Sequence, residues 1–374
     1  MIFSICKETA DLEKRVALTP ESAGKLVKQD IEILIESGAG TASSYTDDAY
    51  RAEGAGITAD RDKLFGECDL LMAVNTPPEK DLIKMKQGSV LICFLWALQH
   101  PDLVDLLKKQ KITALALDAV PRISRAQSMD ALSSMSNIAG YRSALIGAGE
   151  LNRYLPMMMT AAGTIPPAKV LVMGAGVAGL QAIATAKRLG AVVESYDIRP
   201  AVKEQVESLG AKFVEVPLEE EETETTGGYA REISEKNQQK QKEVMADHVK
   251  KSDIVITTAL IPGKKAPVLV SKEMVNEMKP GSVVVDIAAE QGGNCEVTEA
   301  GKTIVYNGVK VCGPLNLPST LAYHASQLYA KNMLSLLSLL IRDNQLVFDF
   351  EDEIVKQTTI THEGDVISPL LTAP

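Results

Sequence analysis

The chain has 374 residues, 45% of them apolar and only 4% aromatic, with a net charge of −10. That length suits two domains packed mainly by aliphatic side chains, and the charge argues against nucleic acid or an anionic membrane surface as a direct partner. Five scattered cysteines without metal-ligand spacing read as reduced core residues of a cytosolic protein, not as a disulfide or zinc framework.

The N-terminus, MIFSICKETADLEKRVALTP, carries a short strand and then charges, so it is not a signal peptide. Short apolar runs alternate with helical segments through IFSIC, PESAGKLVKQ, EILIES, DDAYRAEGA, CDLLMAV, SVLICFL and ITALALDAV. Such alternation predicts a parallel, doubly wound sheet. ITALALDAV empties into a polar stretch, residues 122–137, with Arg122, Arg125, Gln127 and Asp130 within nine positions. From about 137 to 159 the pattern predicts a connecting helix, broken by TIPPAK, with Met157, Met158 and Met159 filling core or interface space.

A second series starts at Lys169: KVLVMGAG, AIATAKRLG, VVESYDI, VKEQVESLG and KFVEVP. EEEETETTGGYA has no apolar period and predicts an exposed, mobile loop containing Gly227 and Gly228. EISEKNQQKQKEVMADHVKK reads as a helix, followed by strand DIVITTAL, loop IPGKKAP, helix SKEMVNEM and strand SVVVDIA. The apolar helix near 320–341 is too short to span a bilayer and carries Lys331, so it is expected to pack back on the first domain. ITHEGDVISPLL reads as strand–turn–strand or extended chain. The fold class is therefore α/β, with two doubly wound Rossmann-like domains of mainly parallel sheets separated by a cleft. The expected division is 1–136 with 315–374, and 137–314.

VLVMGAGVAGL puts Gly174, Gly176 and Gly179 in G-x-G-x-x-G register between a strand and a helix. The first glycine permits the tight turn, the second lets backbone approach a pyrophosphate, and the third allows close helix–strand packing. Asp197, 18 positions after Gly179, ends the next strand. A carboxylate there accepts from ribose hydroxyls and repels a 2′-phosphate, which favours NAD(H) over NADP(H). Arg199 complicates this, because an arginine there could instead meet a phosphate. The bland alternative is a glycine-rich turn in an empty α/β fold.

In the polar stretch, Arg122 offers a planar fork and Gln127 both a donor and an acceptor. Asp130 can pair with Arg122, and Ser133 lies three positions on. The competing reading is a solvated turn in which Asp130 or Ser128 caps a helix. His100, His248, His324 and His362 are isolated and have no metal-ligand companion. No GxSxG, HExxH or P-loop occurs.

RISRAQSMD…SNIAGYR, PMMMTAAGTIPPAKVLVMGAGVAGLQAIATAKRLGA, GGYA, DIVITTALIPGK and MKPGSVVVDIAAEQGGN together resemble the NAD(H)-binding domain of proton-translocating nicotinamide nucleotide transhydrogenase. The resemblance covers nearly the whole chain. KETADLEKRVALTP adds the start pattern shared with alanine dehydrogenases. Those enzymes carry a lysine and a histidine where this chain holds Asn75 and Trp96, while Arg15 remains. Without that pair, oxidative deamination lacks a carbonyl clamp and a general acid–base group, whereas hydride transfer between two nicotinamides needs only positioning.

The resemblance implies direct hydride transfer between NAD(H) here and NADP(H) bound by a partner domain, coupled to proton translocation by a membrane subunit. It implies catalytic roles for Arg122, Gln127, Asp130 and Ser133. The implied cofactor-binding set is Arg122, Gln127, Gly174, Gly176, Val177, Gly179, Asp197, Ile198, Arg199, Gly228, Tyr229 and Leu260, with no metal. It also implies a homodimer that is cytoplasmic and held at the inner membrane through partner subunits. The alternatives are an alanine-dehydrogenase-like enzyme and a catalytically silent NAD(H)-sensing module.

Overall fold

The computed structural model describes residues 1–216, 234–260 and 265–372. The chain divides into two compact units, residues 1–135 with 319–374 (unit 1) and residues 136–318 (unit 2), and the division falls inside the helix Ala131–Glu150. Each unit is built on one large sheet, so the α/β reading holds.

The strands in chain order begin with β1 (Ile2–Ile5), β2 (Glu32–Glu36), β3 (Gly56–Thr58), β4 (Leu70–Asn75), β5 (Val90–Phe94) and β6 (Thr113–Ala116). Unit 2 contributes β7 (Met158–Thr160), β8 (Gly163–Ile165), β9 (Lys169–Met173), β10 (Val192–Tyr196), β11 (Lys212–Phe213), β12 (Ile254–Thr257), β13 (Val283–Asp286), β14 (Thr303–Tyr306) and β15 (Val309–Cys312). The chain ends with β16 (Ile341–Arg342), β17 (Gln345–Leu346), β18 (Thr359–His362) and β19 (Asp365–Val366).

The unit 1 sheet runs β19-β18-β6-β5-β4-β1-β2-β3 and is parallel from β6 to β3. Residues 70–74 of β4 are fully buried, as a strand covered by helices on both faces requires. The tail closes this sheet, with β18 antiparallel to β6 and Thr361 Oγ1 donating to Ile112 O at 2.8 Å. Helix Ala322–Leu340 also belongs to unit 1. Its fully buried Tyr329 donates to the carbonyls of Ala73 (2.8 Å) and Val74 (3.3 Å).

The unit 2 sheet runs β11-β10-β9-β12-β13-β15-β14, parallel except for the β14–β15 pair. Alternate residues feed two cores. Val170, Val172, Ile254 and Ile256 pack on one face, and Leu171, Met173 and Val255 on the other. That period of two is the pleat of a strand buried on both sides. The order reverses at β9, whose carboxyl end opens the crevice where doubly wound folds bind ligands.

Three local expectations need correction. The connecting helix starts at Ala131, not near 137, and stops at Glu150. Pro156 cannot supply a helical N–H, and Leu155 O instead accepts from Ala168 N at 3.0 Å. Residues 158–165 then form the β7–β8 hairpin, whose turn uses Gly163 at φ +130. Met157 and Met159 are exposed (57% and 77%), so they do not fill this chain's core. Strands β3, β14, β15, β16 and β17 are also additional to the sequence reading; β14 pairs with β15 across Asn307 (φ +46) and Gly308 (φ +78), the left-handed pair typical of an Asn-Gly hairpin. No helix among the described residues is long and apolar enough to cross a membrane.

Candidate dinucleotide site

The glycine loop leaves β9 at Met173 and enters helix Val177–Arg188. Gly174 holds φ +101, which an L side chain rarely adopts, and its N–H donates to Tyr196 O at 2.8 Å. A Cβ on Gly179 would lie 1.8 Å from Gly174 O, so only glycine lets the helix approach the turn this closely. A Cβ on Gly176 would meet nothing within 4 Å, so the backbone there faces open space. Gly176 is the N-cap and supplies no side-chain acceptor, and Val177 beside it is exposed. The amides of the first turn therefore keep their partial positive charge for an anion. The loop residues thus fit a dinucleotide pyrophosphate.

Asp197 follows β10 and is buried. Its Oδ2 accepts from Ala175 N (2.7 Å), which ties the carboxylate to the glycine loop. Arg199 binds the same carboxylate in a fork, with Nε on Oδ1 at 2.9 Å and Nη2 on Oδ2 at 2.8 Å. Ile198 between them is partly buried against the unit 2 core. Leu260 is exposed after β12. Gly227, Gly228 and Tyr229 lie outside the described residues.

In unit 1 the polar stretch forms a 3-10 turn, Ser124–Met129, anchored by buried Ala126 and Met129. Arg122 and Gln127 are exposed. Asn332 Nδ2 donates to Ser128 O at 2.8 Å and holds the turn from a distant helix. Arg125 forms a two-point ion pair with Asp352 at 2.6 and 2.9 Å. Asp130 accepts from Ser133 N (2.8 Å) and Ser133 Oγ (2.6 Å), so these two residues form a helix cap.

The ends of the unit 1 strands carry a second polar group. Glu8, half-buried, accepts from Val74 N (2.6 Å), Asn75 N (3.3 Å) and Asn75 Nδ2 (3.2 Å). Burial pushes its carboxyl up to about 7 against those hydrogen bonds, and the Glu13 charge adds to the rise. The buried Glu13 carboxylate receives Arg15 Nε (2.8 Å), Arg15 Nη2 (2.6 Å) and Asn75 Nδ2 (2.9 Å). Burial acts upward here too, but the Arg15 hydrogen bonds and charge outweigh it and hold the carboxyl at about 2. Trp96 sits at φ +50, stacks on Phe94 at 5.9 Å and donates its backbone N–H to Asp118 Oδ2 at 3.0 Å. Among the described residues no group of three His, Cys, Asp or Glu could hold a metal.

The alanine dehydrogenase/PNT N-terminal domain model matches residues 4–139, and the C-terminal domain model matches 143–369. The chain belongs to the alanine dehydrogenase/PNT family. Within that family it is 51% identical to an NAD(P) transhydrogenase subunit alpha chain of Rhodospirillum rubrum, over all of this chain and 99% of the relative. It is 32% identical to the alanine dehydrogenase of Bacillus subtilis over 80% of this chain and 73% of that enzyme. The solved transhydrogenase from Sinorhizobium meliloti superposes with a TM-score of 0.85 at 43% identity, covering 99% of this chain and all of that one. Transhydrogenase alpha subunits are thus closer relatives than that alanine dehydrogenase.

Two supports of this alanine dehydrogenase/PNT site escape a reading of the sequence. Thr258 Oγ1 donates to Gly174 O at 3.1 Å and braces the turn from β12. Fully buried Asn294 accepts from Ala259 N (3.0 Å) and donates to the carbonyls of Ala259 (2.9 Å) and Pro267 (2.8 Å). Polar residues just beyond apolar strands, as in VITTAL and AEQGGN, are the signal that could have found them.

Proposed function

We propose that the chain is the NAD(H)-binding component of a proton-translocating transhydrogenase. It exchanges hydride directly with NADP(H) on a partner domain, and a membrane subunit couples that exchange to proton movement. The observation that carries the reading is the glycine loop at the switch point of unit 2, in a chain 51% identical along its whole length to a transhydrogenase alpha subunit.

NAD(H), when bound, supplies the hydride donor or acceptor. The chain's own residues bind and orient it. The glycine loop amides hold the phosphates, and Asp197 accepts from the adenosine ribose. Val177, Ile198, Gly228, Tyr229 and Leu260 complete the binding set, and Arg199 stands beside it on the Asp197 carboxylate. Arg122 and Gln127 orient the nicotinamide, and the Asp130–Ser133 cap positions them. No proton moves at the reacting carbons, so positioning suffices. Asn75 is consistent with this, because its amide is engaged by Glu8 and Glu13 and offers no amine to a carbonyl substrate. The proposed partners are a second copy of the chain, the NADP(H)-binding domain and the membrane proton channel. Together they hold the chain at the cytoplasmic side of the inner membrane.

The chain mixed with its cognate NADP(H)-binding domain is expected to transfer hydride, and to show no NADH oxidation with pyruvate and ammonia. The reverse pattern makes it an amino acid dehydrogenase, and NADH binding without either activity makes it a sensing module. Gln127→Asn is expected to slow single-turnover transfer at least about tenfold at saturating partner, with NADH affinity within a few-fold. An unchanged saturated rate would reduce the polar turn to a cap or a docking patch.

A further inference from the structure

We propose that Arg199 is a displaceable stand-in for the adenosine ribose, so that NAD(H) binding requires its guanidinium to leave Asp197. This rests on the NAD(H) reading above and adds a specificity device to it.

A carboxylate offers about four acceptor positions. At Asp197 each oxygen already accepts two protein hydrogen bonds. Oδ1 receives Arg199 N (2.9 Å) and Arg199 Nε (2.9 Å), and Oδ2 receives Ala175 N (2.7 Å) and Arg199 Nη2 (2.8 Å). Two of these donors are backbone amides fixed by the glycine loop and by the bend after β10. The other two sit on one guanidinium and leave together when that side chain rotates. A ribose diol brings two hydroxyls on adjacent carbons, which matches in number the two donors of the fork.

The exchange keeps a nearly buried carboxylate supplied with donors in both states. The side chains of Arg199 and Asp197 are only 11% and 5% exposed, so an unpaired Asp197 would be unfavourable. A 2′-phosphorylated ribose cannot complete the exchange. It leaves only the 3′-hydroxyl for the two acceptor positions that Arg199 vacates, and it adds negative charge beside the carboxylate. A site built to receive a substrate hydroxyl rejects an analogue without it more strongly than size alone would allow. NAD(H) selectivity therefore has two components: repulsion of the phosphate and an unmatched loss of the Asp197–Arg199 pair. The same pair lowers NAD(H) affinity, because the ribose binds only to the fraction of molecules in which the fork is open.

Arg199→Met keeps the length of the side chain and removes the fork. Calorimetry on the full chain is expected to show NADH bound at least about fivefold more tightly than by the unmodified chain, with NADPH affinity not raised. Unchanged or weaker NADH binding by the folded variant overturns the proposal, because the guanidinium then stays on Asp197 or grips the cofactor. If the variant does not fold, the unmodified chain carries the test. The Arg199 Nε–H NMR signal, assigned through its own backbone, is expected to shift and to exchange faster with water on adding AMP, which presents the ribose without a nicotinamide. A signal unmoved at saturating AMP overturns the proposal. If the unmodified chain binds neither NADH nor AMP, the NAD(H) reading and the exchange fall together; binding without the Arg199 response removes the exchange alone.

Discussion

Unit 1 and unit 2 share the order of the first five strands of their large sheets and differ at the turn after the first of them. Both sheets place the second and third strands on one side of the first and the later strands on the other. Topology therefore provides each with the same crevice. In unit 2 the turn after β9 is Gly-Ala-Gly, with open backbone at Gly176. In unit 1 the turn after β1 carries Glu8, whose carboxylate takes the amides of Val74 and Asn75. Glu36 likewise takes the Lys7 amide at 2.7 Å, and Asp118 takes those of Leu95 (2.7 Å) and Trp96. Unit 1 satisfies its strand ends with its own anions, while unit 2 leaves a helix N-terminus for a foreign one. A doubly wound sheet makes a crevice, and the residues of the first turn decide whether a phosphate can enter it.

The largest expected change in cofactor affinity follows from the closest approach. Gly179→Ala is expected to lower NADH affinity at least about 100-fold, because the Cβ would meet Gly174 O at 1.8 Å. Calorimetry read beside circular dichroism separates lost binding from lost fold. Near-normal affinity in the folded variant would erase the distinction between the two turns.

Glu13→Ala probes the other unit. It strands the buried Arg15 charge and is expected to cost about 3–5 kcal/mol in urea unfolding while NADH affinity stays within a few-fold. A marked loss of NADH binding in the folded variant would mean that the unit 1 cluster serves the dinucleotide site.

The smallest effect is a pH dependence. Folding raises the Glu8 carboxyl from 4.5 to about 7, so between those values the folded chain holds a proton that the unfolded chain has released. The stabilisation is complete below about pH 4.5 and is lost as pH rises through 7, on the order of 3 kcal/mol in all. Glu13, held at about 2, acts in the opposite sense, with stability lost only as pH falls below 4.5. Thermal melts between pH 5 and 8 are expected to fall for the native chain and to flatten for Glu8→Gln. Parallel curves would remove Glu8 as the cause.

The glycine loop is legible in the sequence because its demands are local: a positive φ at Gly174 and a helix brought against a carbonyl at Gly179 both exclude side chains at fixed spacing. The sheets are legible because their strands are apolar on both faces. The carboxylates of unit 1 are not, because their partners lie far along the chain; Glu8 meets Val74, 66 residues away. The Asp197–Arg199 pair spans only two residues, but it depends on the bend after β10, and the sequence alone, though it favours NAD(H), leaves open an arginine that meets a phosphate. The helix read to Met159 overruns its end at Glu150 because the Ala- and Gly-rich pattern continues past it, and Met157 and Met159, expected in core or interface space, are exposed.

Trp96 has a practical consequence. It is the only tryptophan in the chain, lies in unit 1, is 39% exposed and stacks on Phe94. Its left-handed backbone, pinned by Asp118, ties the indole to the integrity of one strand end. Indole emission during denaturation therefore monitors unit 1, and the fluorescence of added NADH provides a separate signal for unit 2. The two halves have independent optical handles, and a difference between their melting curves would show directly whether they unfold as one cooperative body or as two.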